Sequence, residues 1–153
     1  MDLHPDFRDL LAEFAREQVS YAVIGGYAVG HHAKPRATKD LDLLVSPSDG
    51  NLDRVARALE NFGAAPNVVN AVKNLAETDV VYLGVPPVRV DILRNADGII
   101  DVDATLGRAV RASLGDLKIP ILALDDLIVN KRAAGRPQDL ADAALLERVR
   151  DRK

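Results

Sequence analysis

Two aspartates one residue apart, Asp40 and Asp42, stand in the run Asp-Leu-Asp-Leu-Leu-Val. In a strand, side chains alternate between faces, so Leu41, Leu43 and Val45 point one way and the two carboxylates the other. Carboxylates side by side on one face repel each other. A divalent cation relieves that repulsion, and Mg²⁺ is typically held by one or two carboxylates together with substrate phosphates. The plain alternative is the solvated face of an edge strand. Three neighbours tilt the reading toward chemistry: the otherwise apolar strand, the pair Gly25-Gly26, and the basic loop Lys34-Pro35-Arg36. Glycine lets a backbone or a phosphate come close.

The elements that must position these residues follow from the same stretch. Tyr21 to Ile24 is an apolar, partly β-branched run and predicts a buried strand. The glycine pair breaks it. Tyr27 to Ala33 is expected to form a short helix, followed by the basic loop and the aspartate strand. Upstream, Phe7, Leu10, Leu11 and Phe14 recur at helical spacing and predict an amphipathic helix over 5–17, with Pro5 in its first turn. Downstream, Ser46 to Gly50 is a turn and capping cluster. A helix follows over 51–62, with Leu52, Val55, Leu59 and Phe62 inward and Gly63 at its C-cap. The segment 64–78 is compatible with loop or short helix.

Strands are predicted over Asp79 to Val85 and Val88 to Leu93, antiparallel across the Pro86-Pro87 turn. Val88, Val90 and Ile92 share one face of the second, which puts Asp91 on the other with Arg89. Residues 95–116 are turn-rich, with a possible helix over 105–113. Leu117 to Leu122 reads as a strand, and Pro120 assigns it to a sheet edge. A helix capped by Asp125 or Asp126 is expected to run to about Ala134. A last helix, from about Pro137, would turn Leu140, Ala144 and Leu145 inward and place Arg148, Arg150, Arg152 and Lys153 at its negative end.

The glycine pair followed by Arg-x-Thr-x-Asp-x-Asp and an apolar strand resembles the nucleotidyltransferase superfamily that includes DNA polymerase beta. Gly25, Gly26, Arg36, Thr38, Asp40 and Asp42 carry the resemblance. It extends over roughly residues 20–146 and is closer to the abortive-infection branch, whose members include toxins of toxin–antitoxin pairs. A glycine stands where the superfamily most often has serine, which removes a hydroxyl that meets the triphosphate.

The resemblance implies an α+β fold, a mixed, mostly antiparallel sheet flanked by helices. It also implies a third metal-binding carboxylate from a neighbouring strand, at Asp91; the alternative is a surface aspartate beside Arg89. Between the last two helices, Asn130 to Asp139 resembles the same branch. This makes Lys131 the charge that meets the nucleotide's phosphates, against the alternative of a solvated basic turn. Read as an exposed lysine, Lys131 is expected to be removable with little loss of stability. Arg136 and Asp139 are expected to pair and fix the junction. Two Mg²⁺ ions are implied, with Mn²⁺ able to substitute. Asp40 and Asp42 would bind both and Asp91 the one nearer the acceptor, while Gly25, Gly26, Arg36 and Thr38 would face the nucleotide.

The reaction so implied moves a nucleoside monophosphate from a nucleoside triphosphate to an RNA or protein acceptor, in a toxin–antitoxin or phage-defence setting with a cognate toxin or antitoxin partner. An antibiotic-modifying transferase and a non-catalytic protein keeping the fold are the alternatives. Small size and the lack of an evident acceptor domain weigh against the former, the intact trio of aspartates against the latter.

Composition bounds these readings. At 153 residues, the chain is expected to form one domain over 1–153. It has no cysteine, so disulfides and thiolate metal sites are excluded and a reducing cytoplasm is expected. No apolar run approaches the about 20 residues of a membrane span, and no membrane association is expected. A net charge of −3 gives no support for a broad phosphate-tracking surface. Three histidines without ligand spacing make no zinc site. His31 or His32 could reach a nucleotide or an acceptor, or serve only to fix a packed helix.

Overall fold

The computed structural model describes residues 3–38, 40–85 and 88–152. In chain order the elements are α1 (Pro5–Arg16), β1 (Tyr21–Ile24), α2 (Gly25–His32), β2 (Asp40–Val45), α3 (Asp49–Phe62), α4 (Pro66–Lys73), β3 (Val80–Val85), β4 (Val88–Leu93), α5 (Val102–Gly107), β5 (Val110–Leu114), β6 (Leu117–Ile121), α6 (Leu124–Ala134) and α7 (Pro137–Asp151). The expected Pro86-Pro87 turn and the expected Lys153 at the last helix end lie outside the described residues.

The strands form one six-stranded sheet in the order β3-β4-β2-β1-β6-β5. Three of its pairings are antiparallel and two parallel, β2 with β4 and β1 with β6. This is the expected α+β architecture. Helices α1, α3 and α4 pack on one another, with α1 reaching β4 and α4 reaching β3; α2, α6 and α7 form a second group, with α2 against β1 and β2. The central strands are therefore covered on both sides. Leu43, Leu44 and Val45 are all fully buried, whereas Asp40 and Asp42 lie at the half-buried start of β2.

Local signals account for most boundaries. The Ser48 hydroxyl accepts the Asn51 amide at 3.2 Å and caps α3. Gly63 closes that helix in the left-handed region at φ +99°.

Four expectations are corrected, and one open segment is filled in. The uncommitted segment 64–78 contains α4, opened by Pro66 at its first turn and held by buried Val69 and Val72. In place of a helix over 105–113, α5 ends at Gly107 and β5 begins at Val110; β5 alternates an inward Ala112 between Arg111 and Ser113, as a half-exposed edge strand does. Consequently β6 is not the edge. Pro120 is tolerated because β6 meets β1 at Val23↔Ile121, one residue beyond it. Asp125 and Asp126 sit in the first turn of α6 rather than at its cap, which is Ala123. On α7 the buried positions are Asp139, Asp142, Ala143 and Leu146, while Leu140 is exposed. The physical reason is a buried lysine described below, which draws carboxylates inward.

Candidate active site

The sheet register assembles the carboxylates. In the parallel ladder of β2 and β4, Asp42 stands directly opposite Asp91 and Asp40 opposite Arg89. All four side chains share one face, because the partners are in register and alternation carries Asp40 to Asp42 and Arg89 to Asp91. On the other side of β2, Asp42 is opposite Ile24, the last residue of β1. The chain then turns at once into α2.

That turn needs glycine. Gly25 has φ +69°, and a Cβ built on it would run into the Asp42 carboxylate. Gly25 and Gly26 form the first turn of α2 rather than a loop before it, and no side chain caps this helix. A Cβ on Gly26 would stand 2.8 Å from the Thr38 hydroxyl and 3.7 Å from an Arg36 guanidinium nitrogen. Gly25, Gly26, Thr38 and Arg36 are thus brought together beside Asp42. A cavity of about 570 Å³ opens here, lined by Gly26, Tyr27, Gly30, His31, Pro35 and Arg36 among others.

Asp42 holds its proton unusually well: its pKa rises from 3.8 to about 7. Burial is the main cause, followed by the negative charge of Asp91, a hydrogen bond with Asp91 and the charge of Asp40; Lys131 acts in the opposite sense. Among the described residues Asp42 makes no ion pair within 4 Å, whereas its neighbours do. The Arg89 guanidinium donates to Asp91 Oδ1 at 2.9 Å, to Asp91 Oδ2 at 3.1 Å and to Asp40 Oδ2 at 3.0 Å. Asp91 therefore stands beside Arg89 and opposite Asp42, with its side chain 14% exposed rather than on the open surface.

Lys131 is corrected from an exposed lysine to a buried one, 8% exposed. Its ammonium stands 3.4 Å from Asp139 and 3.3 Å from Asp142, both 2% exposed. Asp142 also accepts Arg36 at 2.6 and 3.1 Å and Gln138 at 2.9 Å. Asp139 accepts the Arg136 side chain at 2.7 Å and its backbone N–H at 3.3 Å, the expected junction pair. Burial pushes the Asp142 carboxyl up, but hydrogen bonds from Arg36 and Gln138 outweigh it and hold the group below its ordinary value. The Arg136 hydrogen bond does the same for Asp139. Three cations face two carboxylates, and the surplus positive charge adjoins the negative face, since both Lys131 and Arg136 feel Asp42.

Sequence reasoning passed over Asp142, and it saw Arg89 only as a neighbour. The signal for Asp142 was its spacing of three from Asp139, which puts both on one helix face. The His32 Nε2 lies 2.7 Å from the Leu122 carbonyl oxygen and ties α2 to the end of β6.

The donors on the sheet face are all carboxylate oxygens, the chemistry a hard cation prefers. Among the described residues, however, no three His, Cys, Asp or Glu side chains already stand grouped to hold a metal ion. Arg89 bridges Asp40 and Asp91, so the trio has the donor chemistry of a divalent-cation site while two of its carboxylates are engaged by a guanidinium. No helix among the described residues is long and apolar enough to cross a membrane.

Comparison with solved structures gives the fold a name. The lincosamide antibiotic adenylyltransferase LnuA with lincomycin bound aligns at a TM-score of 0.61 and 16% identity, over 96% of this chain and 98% of that one. A nucleotidyltransferase from Thermotoga maritima described as putative aligns at 0.59 and 14%, over 96% and 91%. ANT(2'')-Ia in complex with adenylyl-2''-tobramycin aligns at 0.58 and 13%, over 94% and 90%. At such identities the likeness establishes a shared nucleotidyltransferase fold. No curated protein matches the sequence. The family model described as nucleotidyl transferase AbiEii toxin, type IV toxin–antitoxin system, matches residues 8–152. With nearly the whole chain inside that match, the protein belongs to the AbiEii nucleotidyltransferase toxin family.

Proposed function

We propose that this nucleotidyltransferase uses divalent metal, Mg²⁺ or Mn²⁺, to move a nucleoside monophosphate from a nucleoside triphosphate to an RNA or protein acceptor. The observation that carries the reading is the register of β2 and β4, which sets Asp42 opposite Asp91 with Asp40 on the same face. Two metal ions would supply Lewis-acid stabilisation of the attacking and leaving oxygens, held by Asp40, Asp42 and Asp91. The chain's own residues do the rest. Gly25 and Gly26 let the triphosphate approach the uncapped start of α2, where backbone N–H groups favour anions. Lys131 and Arg36, fixed by Asp139 and Asp142, bias that end of the site toward negative charge. Attack by an acceptor hydroxyl on the α-phosphorus would expel pyrophosphate, with Asp91 as the proposed acceptor of the hydroxyl proton.

The setting proposed is a toxin–antitoxin or phage-defence pair in the cytoplasm, with a cognate partner controlling the activity. Antibiotic modification stays as a second reading for one reason. LnuA is covered over 98% of its length by this chain, so small size does not argue against an antibiotic acceptor. The test is incubation of the protein with each α-labelled triphosphate and Mg²⁺, separately with total RNA, total protein and an aminoglycoside–lincosamide mixture. Label on RNA or protein supports the proposal, label on an antibiotic replaces it with the second reading, and label on none removes both.

A further inference from the structure

We propose that Arg89 is a built-in counter-ion of the carboxylate face, which holds Asp40 and Asp91 until a divalent cation displaces it. The inference rests on the metal-dependent reading above. Its ground is which atoms the guanidinium occupies. Both oxygens of Asp91 and one of Asp40 accept from Arg89 at 2.9 to 3.1 Å, so two of the three carboxylates are engaged by one side chain. Oxygens coordinating Mg²⁺ lie about 2.0–2.1 Å from it. A guanidinium lodged among the same oxygens then faces a dication at close range, and the two positive charges compete for one set of donors.

Arg89 also has somewhere to go. Its side chain is 31% exposed, so solvent reaches it without any opening of the core. Its guanidinium carbon lies 5.0 Å from the ring centroid of Tyr82, within cation–π range. Tyr82 stands on β3 opposite Asp91 and is 56% exposed. Opposite Arg89 itself is Gly84, which places no side chain in the way. Rotation of the long side chain toward Tyr82 frees the carboxylates while the cation keeps its aromatic partner. In the metal-free chain the same arginine offsets repulsion that Asp40 and Asp91 would otherwise exert on Asp42.

The test measures Mn²⁺ binding without nucleotide, by electron paramagnetic resonance of free Mn²⁺, for wild type, Arg89→Gln and Arg89→Lys. Melting temperatures are followed in EDTA and in saturating Mn²⁺. A displaced counter-ion predicts Mn²⁺ binding at least about 5-fold tighter in Arg89→Gln. It also predicts a lower melting temperature for that variant in EDTA and a much smaller deficit in Mn²⁺. Arg89→Lys, which keeps the charge but not the fork, should fall between the two and carries the measurement if Arg89→Gln does not fold. Equal or weaker Mn²⁺ binding in the variants, or a melting deficit unchanged by metal, overturns the inference and leaves the metal reading standing. Absence of Mn²⁺ binding in wild type and variants alike removes the metal reading and the inference with it.

Discussion

Replacing Asp42 with asparagine should stabilise the metal-free protein above neutral pH. The Asp42 carboxyl titrates near 7 in the fold and near 3.8 when unfolded. Between those values the folded state keeps a proton that the unfolded state has released, so stability falls as pH rises through this window and stays lost above it. At about 1.4 kcal/mol per pH unit the ceiling is about 4 kcal/mol. Asp42 hydrogen-bonds with Asp91 and lies at the half-buried start of β2, so about half that ceiling, about 2 kcal/mol, is expected. For a chain of this length that corresponds to about 4–8 °C in Tm. Asparagine is neutral at every pH and can still hydrogen-bond to Asp91. The assay is urea denaturation of wild type and Asp42→Asn in EDTA from pH 5 to pH 9. More than a third of the difference should already be present at pH 5; the gap should widen to about pH 7 and stay constant above it, with the variant the more stable at pH 8. Asp139 and Asp142, held below their ordinary values, lose their contribution only in more acidic solution. Histidines common to both proteins cancel in the difference. Parallel stability curves across the range would refute the picture of Asp42 as a desolvated, repelled carboxyl.

Lys131→Met should lose about 2 kcal/mol or more of stability in urea denaturation, since it leaves buried Asp139 and Asp142 short of a cation; unchanged stability would return the lysine to the surface. Gly25→Ala should cost a similar amount, about 2 kcal/mol, by forcing a side chain into positive φ against Asp42. Its melting temperature should recover part of the loss when Asp42→Ala is added, because that removes the carboxyl group the new Cβ would meet. Arg36→Ala should melt lower than wild type and bind a non-hydrolysable triphosphate analogue about 10-fold more weakly in a filter assay; normal binding would leave the phosphates to Lys131 and Arg136.

The core of the site was legible because it is local. Strand, glycine turn, helix and aspartate strand fall within Tyr21 to Val45, and period-two alternation alone puts Asp40 and Asp42 on one face. Asp91 was placed by alternation and by the family likeness. What escaped depends on register between distant segments. Arg89 meets Asp40 across 49 residues of sequence, and nothing local to either announces it. The burial of Lys131 and the part played by Asp142 escaped for a related reason. Lys131 reads as exposed and Asp142 is passed over, because a lysine near a helix end and an aspartate on a helix carry no local sign of burial; each is buried beside the other's counter-charge. The segment around α5 and β5 was misread because an edge strand with Arg111 and Ser113 facing water has too weak an apolar signal to beat turn residues.

The most direct test of the central claim follows two labels in one reaction, the α- and the γ-phosphate of the triphosphate, with Mg²⁺ and the acceptor pool that accepts label. Nucleotidyl transfer predicts the α-label on the acceptor and the γ-label in pyrophosphate in equal amounts. Both signals should fall at least a hundredfold, about 2.7 kcal/mol of barrier, in Asp40→Asn/Asp42→Asn. Release of the γ-label as free phosphate, or its appearance on the acceptor, would contradict the account.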